Sequence, residues 1–111
     1  MSEQTPIVRC FRAIVHEGQQ DAFQSFFLGT ALPLVRSHDG LISITVGLPH
    51  EESPDEFSMT TVWRDLESLK GFAGEKWKEA VIHPDERHLL RRTHVSHYYL
   101  ADGLPSNEEK P

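Results

Sequence analysis

Two alternating segments rich in β-branched residues flank a short polar loop: LISITVGL at 41–48 and EFSMTTVWR at 56–64, joined by PHEESPD. Alternation of this kind marks half-buried strands, and so short a connection makes them an antiparallel hairpin. A lone hairpin is marginal in water, so it must join a larger sheet and be covered. The segments around it supply both. Residues 7–15 (IVRCFRAIV) form another strand pattern, with Ile7, Phe11, Ala13 and Val15 on one side and Val8, Cys10 and Ile14 on the other. An arginine interrupts each side, Arg9 the first and Arg12 the second. Residues 93–100 (THVSHYYL) read as the last strand.

Between strands lie helical patterns. Over 19–37, Phe23, Phe26, Phe27, Ala31, Leu34 and Val35 repeat at the spacing of one buried stripe, and Pro33 predicts a kink near its end. Ser37-His38-Asp39-Gly40 is a stop signal, with Gly40 suited to a left-handed conformation. Asp65 is a good N-cap for a second helix carrying Leu66, Leu69 and Phe72. Gly71 and Gly74 suggest a break, and 75–82 predicts a further short helix with Trp77, Ala80 and Val81 inward.

The order is therefore β-α-β-β-α-β, the pattern of a ferredoxin-like α+β fold with a four-stranded antiparallel sheet. Right-handed crossovers place both helices on one sheet face. The other face is open in a single chain, yet its strands also look apolar. Parity puts Ile42, Ile44, Val46 and Leu48 on one side of the second strand and Leu41, Ser43, Thr45 and Gly47 on the other. An exposed apolar face predicts a two-fold homodimer packed sheet on sheet, a dimeric α+β barrel.

The 111 residues fit one domain, expected over 7–101, with flexible tails at 1–6 and 102–111. A net charge of −6 argues against nucleic acid as a partner. No apolar run reaches the roughly 20 residues of a membrane span, and no signal peptide is evident. The lone Cys10 reads as a packed thiol. A cytoplasmic protein is the expectation.

The stretch from Glu56 to Glu86, followed by THVSHYYL, resembles the antibiotic biosynthesis monooxygenase domain of the dimeric α+β barrel superfamily. The similar features are a strand ending in Trp63, a turn with Asp65, Glu67 and Ser68, then Leu69, Phe72, Trp77 and Glu79-Ala80-Val81, with DGLIS before the second strand. The resemblance covers about residues 7–101 and implies a pocket between helices and sheet. It implies either a small oxygenase that turns polycyclic phenols into quinones without metal or flavin, or a haem-binding relative. In the quinone-forming type an Asn stands four residues before the strand-three Trp; here Met59 holds that position. In the haem-degrading type an Asn on the first strand and a His near the end of the second helix serve; here that strand has no Asn, and the His position falls near Val81, with His83 two residues on.

Trp63 reads either as a core aromatic or as a wall that stacks on a flat substrate. One of His94 and His97 must face inward, held by a hydrogen bond or acting as a general base; the resemblance favours His97. Arg12 is either salt-bridged or binds an anionic substrate. Phe26, Met59, Phe72, Trp77 and Tyr98 complete the expected substrate contacts. The histidines show no tight metal spacing, so no metal is expected. The resulting expectation is a cofactor-independent monooxygenase acting on a small aromatic or quinol-like molecule, against the alternatives of a non-catalytic dimer binding haem or another apolar ligand, and of an interaction module whose pocket its own side chains fill.

Overall fold

A computed structural model describes residues 5–104. The expected tails therefore lie largely outside the described residues. The elements are β1 (Ile7–Val15), α1 (Gln20–Phe26), a π-helical segment (Phe27–Ala31), α2 (Leu32–Arg36), β2 (Leu41–Gly47), β3 (Glu56–Trp63), α3 (Leu66–Ala73), a 3-10 turn (Arg87–Leu89) and β4 (Leu90–Tyr99). The four strands form one antiparallel sheet in the order β2-β3-β1-β4, the ferredoxin-like arrangement.

The helix expected over 19–37 is a continuous path of three pieces. Proline has no N–H to give to the carbonyl four residues back, and its ring crowds that carbonyl. The chain meets Pro33 with one wide turn: the Leu32 N–H bonds the Phe27 carbonyl, five residues back. Asp65 caps α3 as expected, its Oδ1 accepting from both the N–H and the Oγ of Ser68 at 2.8 Å. These bonds hold the Asp65 carboxyl below its ordinary pKa. Gly74 then ends α3 with φ +82°. The short helix expected over 75–82 does not form; a turn at 75–78 gives way to irregular chain over 80–83, and a second turn at 84–86 leads into the 3-10 turn.

Ala13, Val15, Phe57 and Trp63 point from the sheet toward the helices and are buried with Phe23, Phe27, Val35 and Leu69. Three aromatic rings lock the centre. Phe23 meets Phe57 edge-on at 4.8 Å and Phe27 stacked at 5.1 Å.

The opposite sheet face differs from the expected apolar patch. Its register lines up Ser43, Thr45, Ser58, Thr60 and Ser96 among Val8, Cys10, Ile14 and Val62. Ile14 and Val62 are buried, and the hydroxyl side chains are partly exposed or exposed. A register shift between Leu41 and Ser43 breaks the parity assumed for β2, so Leu41, Ile44 and Val46 all pack against the core. Among the described residues, no helix is long and apolar enough to cross a membrane.

Candidate functional site

A cleft of about 110 Å³ lies between the helical layer and the sheet. Its floor is Arg9 and Phe11 of β1 with Met59 and Thr61 of β3, which are adjacent strands. One wall is Phe26, Phe27, Ala31, Leu34 and Val35, running through the π-helical segment. Phe72, Val81, His83 and Glu86 form the other. Leu34 and Val81 are exposed and mark the mouth. A ~150 Å³ apolar cavity can hold benzene, so the enclosed part takes about one ring.

The inner end holds a cation. Arg9 is only 3% exposed. Its Nη1 donates to the Trp77 carbonyl at 2.6 Å and lies 3.0 Å from His97 Nε2; its Nη2 donates to the Glu79 carbonyl at 2.9 Å. Its guanidinium carbon also sits 5.8 Å from the centre of the Phe72 ring. Burial pushes its pKa down to about 10, so it stays charged at neutral pH. Among the described residues it has no carboxylate partner.

Arg9 also explains the missing helix. Two carbonyls of the 75–82 stretch are spent on its guanidinium and not on helical N–H groups. The Trp77 ring meets the His97 ring edge-on at 5.0 Å.

Since Arg9 only donates, His97 Nε2 is the acceptor, and the imidazole is neutral with its proton on Nδ1. Burial and then the charges of Arg9 and Lys78 push its pKa down to about 4. Unfolded histidine titrates near 6.5. Between those values the unfolded chain takes up a proton that the folded chain refuses. Stability from this site is thus complete above about pH 6.5 and is lost as pH falls toward 4. With a discount for partial exposure the loss is about 1–2 kcal/mol. Urea unfolding of wild type and His97→Gln across that window measures it; parallel pH curves would refute it. The difference matters because Glu86 acts with the opposite sign.

Glu86 is 5% exposed and is the only carboxyl lining the cleft among the described residues. Its Oε2 accepts the His83 N–H at 2.8 Å. Burial raises its pKa, against the pull of that bond and of the neighbouring His83 imidazole. The His83 ring packs 5.4 Å from Phe26, and its Nδ1 accepts the Asp85 N–H.

Phe26, Met59 and Phe72 line the cleft. Trp63 lies behind Phe72, fully buried and stacked on it at 5.4 Å, with its N–H on Thr61 Oγ1. Trp77 and His97 pack at the inner end without lining the cavity. Arg12 and Tyr98 are elsewhere. Both lie on the opposite sheet face, where Arg12 is exposed and pairs with Glu56 at 3.7 Å, and Tyr98 is 59% exposed. The expected Arg12 contact with substrate fails because strand parity turns it away from the helices; Arg9 takes the inward place. Arg9, Glu86 and the Thr61 hydroxyl were not singled out from the sequence. Arg9 had a signal, since it breaks an otherwise apolar strand face. Among the described residues, no group of three or more His, Cys, Asp or Glu could hold a metal ion.

No curated protein sequence matches the chain significantly. Solved structures share its fold. A protein from Shewanella oneidensis aligns with TM-score 0.71 at 18% identity, over 87% of this chain and 92% of that one. A protein of unknown function from Nitrosomonas europaea aligns with TM-score 0.71 at 20% identity, over 95% and 99%. A mutant form of SnoaB, a cofactor-independent oxygenase from Streptomyces nogalater, aligns with TM-score 0.67 at 18% identity, over 92% and 99%. The family profile named Antibiotic biosynthesis monooxygenase matches residues 6–81, most of the folded domain. This chain belongs to the antibiotic biosynthesis monooxygenase family.

Proposed function

We propose that this protein is a cofactor-independent monooxygenase that oxidises a small aromatic or quinol-like molecule in the cleft, and that it works as a homodimer. The observation that supports the chemistry is the make-up of the cleft: apolar and aromatic walls around the buried carboxyl of Glu86. Such a site desolvates a flat ring and offers one place for its proton.

The proton of an acidic C–H on the substrate passes to Glu86. The resulting anion transfers an electron to dioxygen, and the two radicals combine at carbon to give a peroxide. Loss of water leaves a carbonyl, so a CH2 group plus O2 becomes C=O plus H2O, with the substrate supplying all the electrons. Glu86 suits the acceptor role because it lines the cleft. His97 does not line it, and its Nε2 is engaged by Arg9, so here it is a positioning residue for that cation. Haem fits poorly: small-molecule pockets for bulky ligands run to roughly 300–1,000 Å³, far above the enclosed volume.

Oxygen uptake with a panel of single-ring phenols and quinols, extended to naphthols and hydroxyanthrones whose further rings would lie at the mouth, tests the reading. One O2 consumed per carbonyl formed is expected, with Glu86→Gln slower by about 100-fold or more. Light scattering of the same sample should give twice the chain mass. Uptake no faster than without protein would sink the oxygenase reading, and a monomer at micromolar concentration would sink the dimer.

A further inference from the structure

We infer that the inner end of the cleft is an anion site, where Arg9 receives the ionised oxygen of an aromatic ligand: a phenolate, an enolate or an aryl carboxylate. This rests on the reading of the cleft as a ligand site and narrows the class of ligand it takes.

A buried charge without a counter-charge is expensive, and proteins rarely leave one so. Arg9 is buried in a mostly apolar cleft and is met by two carbonyls and a neutral imidazole, with no carboxylate in reach among the described residues. Those partners satisfy hydrogen bonds but not charge. Its Nε–H and one Nη2 proton have no protein acceptor among the described residues. Arg9 itself lines the cavity, so these are the donors an incoming oxygen can use. The guanidinium is also fixed on both sides: by the Trp77 and Glu79 carbonyls, and by the His97 ring that Trp77 holds edge-on. A cation fixed before the ligand arrives loses little entropy on binding.

The other charged and titratable groups around the site do not cancel it. Lys78 and His97 lie on the side of Arg9, and Lys78 adds positive charge. His83 and Glu86 line the cavity; Glu86 forms no ion pair with Arg9 and spends an oxygen on the His83 N–H. The cleft lining thus presents a cation at one point and a carboxyl at another. That matches an aromatic ionised at one position and donating a proton from a second.

The probe is 4-nitrophenol, a single ring of the right size whose ionised form is yellow. An opposite charge within a few ångströms lowers an acid's pKa by about 1–3 units. At about pH 6, below its own pKa, the phenol should turn yellow on titration with the protein, its apparent pKa falling by at least one unit, a tenfold shift. Arg9→Gln should abolish the shift, Arg9→Lys should keep part of it, and Glu86→Gln should enlarge it. Bound phenol with an unchanged or raised pKa overturns the proposal, as does the absence of any spectral change at millimolar protein. The wild-type titration decides the matter even if the Arg9 variants fail to fold. Nitrophenol is not oxidised in this assay, so a protein without oxygenase activity still reports the anion site, and an active oxygenase that leaves the phenol colourless loses only this inference.

Discussion

Trp63→Ala should remove about 3–5 kcal/mol of folding stability, a large share of the total for a domain of this size. Trp63 is fully buried where β3 ends. Its ring lies nearly parallel to Phe72, at 14°, and its N–H reaches Thr61 Oγ1 at 2.8 Å. Truncation empties the space behind the cleft wall and strands a buried hydroxyl. Trp63→Phe keeps most of the stacking and loses the N–H, which should cost about 1–2 kcal/mol. Urea unfolding of both variants measures these losses. Trp63→Ala within about 1 kcal/mol of wild type would show that the indole is not part of the core. The pair also separates packing from chemistry. If the indole only supports Phe72, Trp63→Phe keeps the oxygen uptake of the wild type; if it acts on the substrate, uptake falls while the fold stays intact.

Gly40→Ala should be the next most damaging change, at about 2–5 kcal/mol. Gly40 has φ +88°, where any side chain is strained by about 1–2 kcal/mol. Its backbone is also pressed against the start of α3. A Cβ there would occupy the space of Ser68 Cβ and Oγ. Ser68 cannot swing away freely, because its Oγ and N–H both bond to the capping carboxylate of Asp65. The Gly40 carbonyl meanwhile accepts the Arg64 N–H at 2.8 Å. The double variant Gly40→Ala with Ser68→Gly relieves the overlap but not the backbone strain, so it should recover part of the loss. Additive losses in a double-mutant cycle would disprove the contact.

The strand order, the hairpin and the first helical stripe were all legible in the sequence, because each rests on a local periodicity that long-range packing reinforces. The departures have particular causes. The strand parity of β1 could not say whether Arg9 or Arg12 turned inward, because both faces carry one arginine; only the side taken by the helices decides it. His97 shares that inner side because it pairs with Arg9 across β1 and β4. The β2 parity failed at one register shift, which no local pattern marks. Trp77, Ala80 and Val81 mimic a helical stripe, yet a residue far away in sequence claims the carbonyls that such a helix would need. Glu86 lies two residues after Pro84 in a charged stretch with no local mark of burial; its burial is a product of the fold.

The wide turn at Phe27–Ala31 has a consequence for how this cleft could diverge. It amounts to one surplus residue threaded into a helix, just upstream of Leu34 and Val35. Each residue of an α-helix advances the chain by about 100° around its axis. Losing that residue would swing every side chain beyond it around the helix axis, while the floor of strands stayed still. The shape of the binding space can therefore be reset by a single-codon deletion or insertion in one wall, without altering a residue of the sheet.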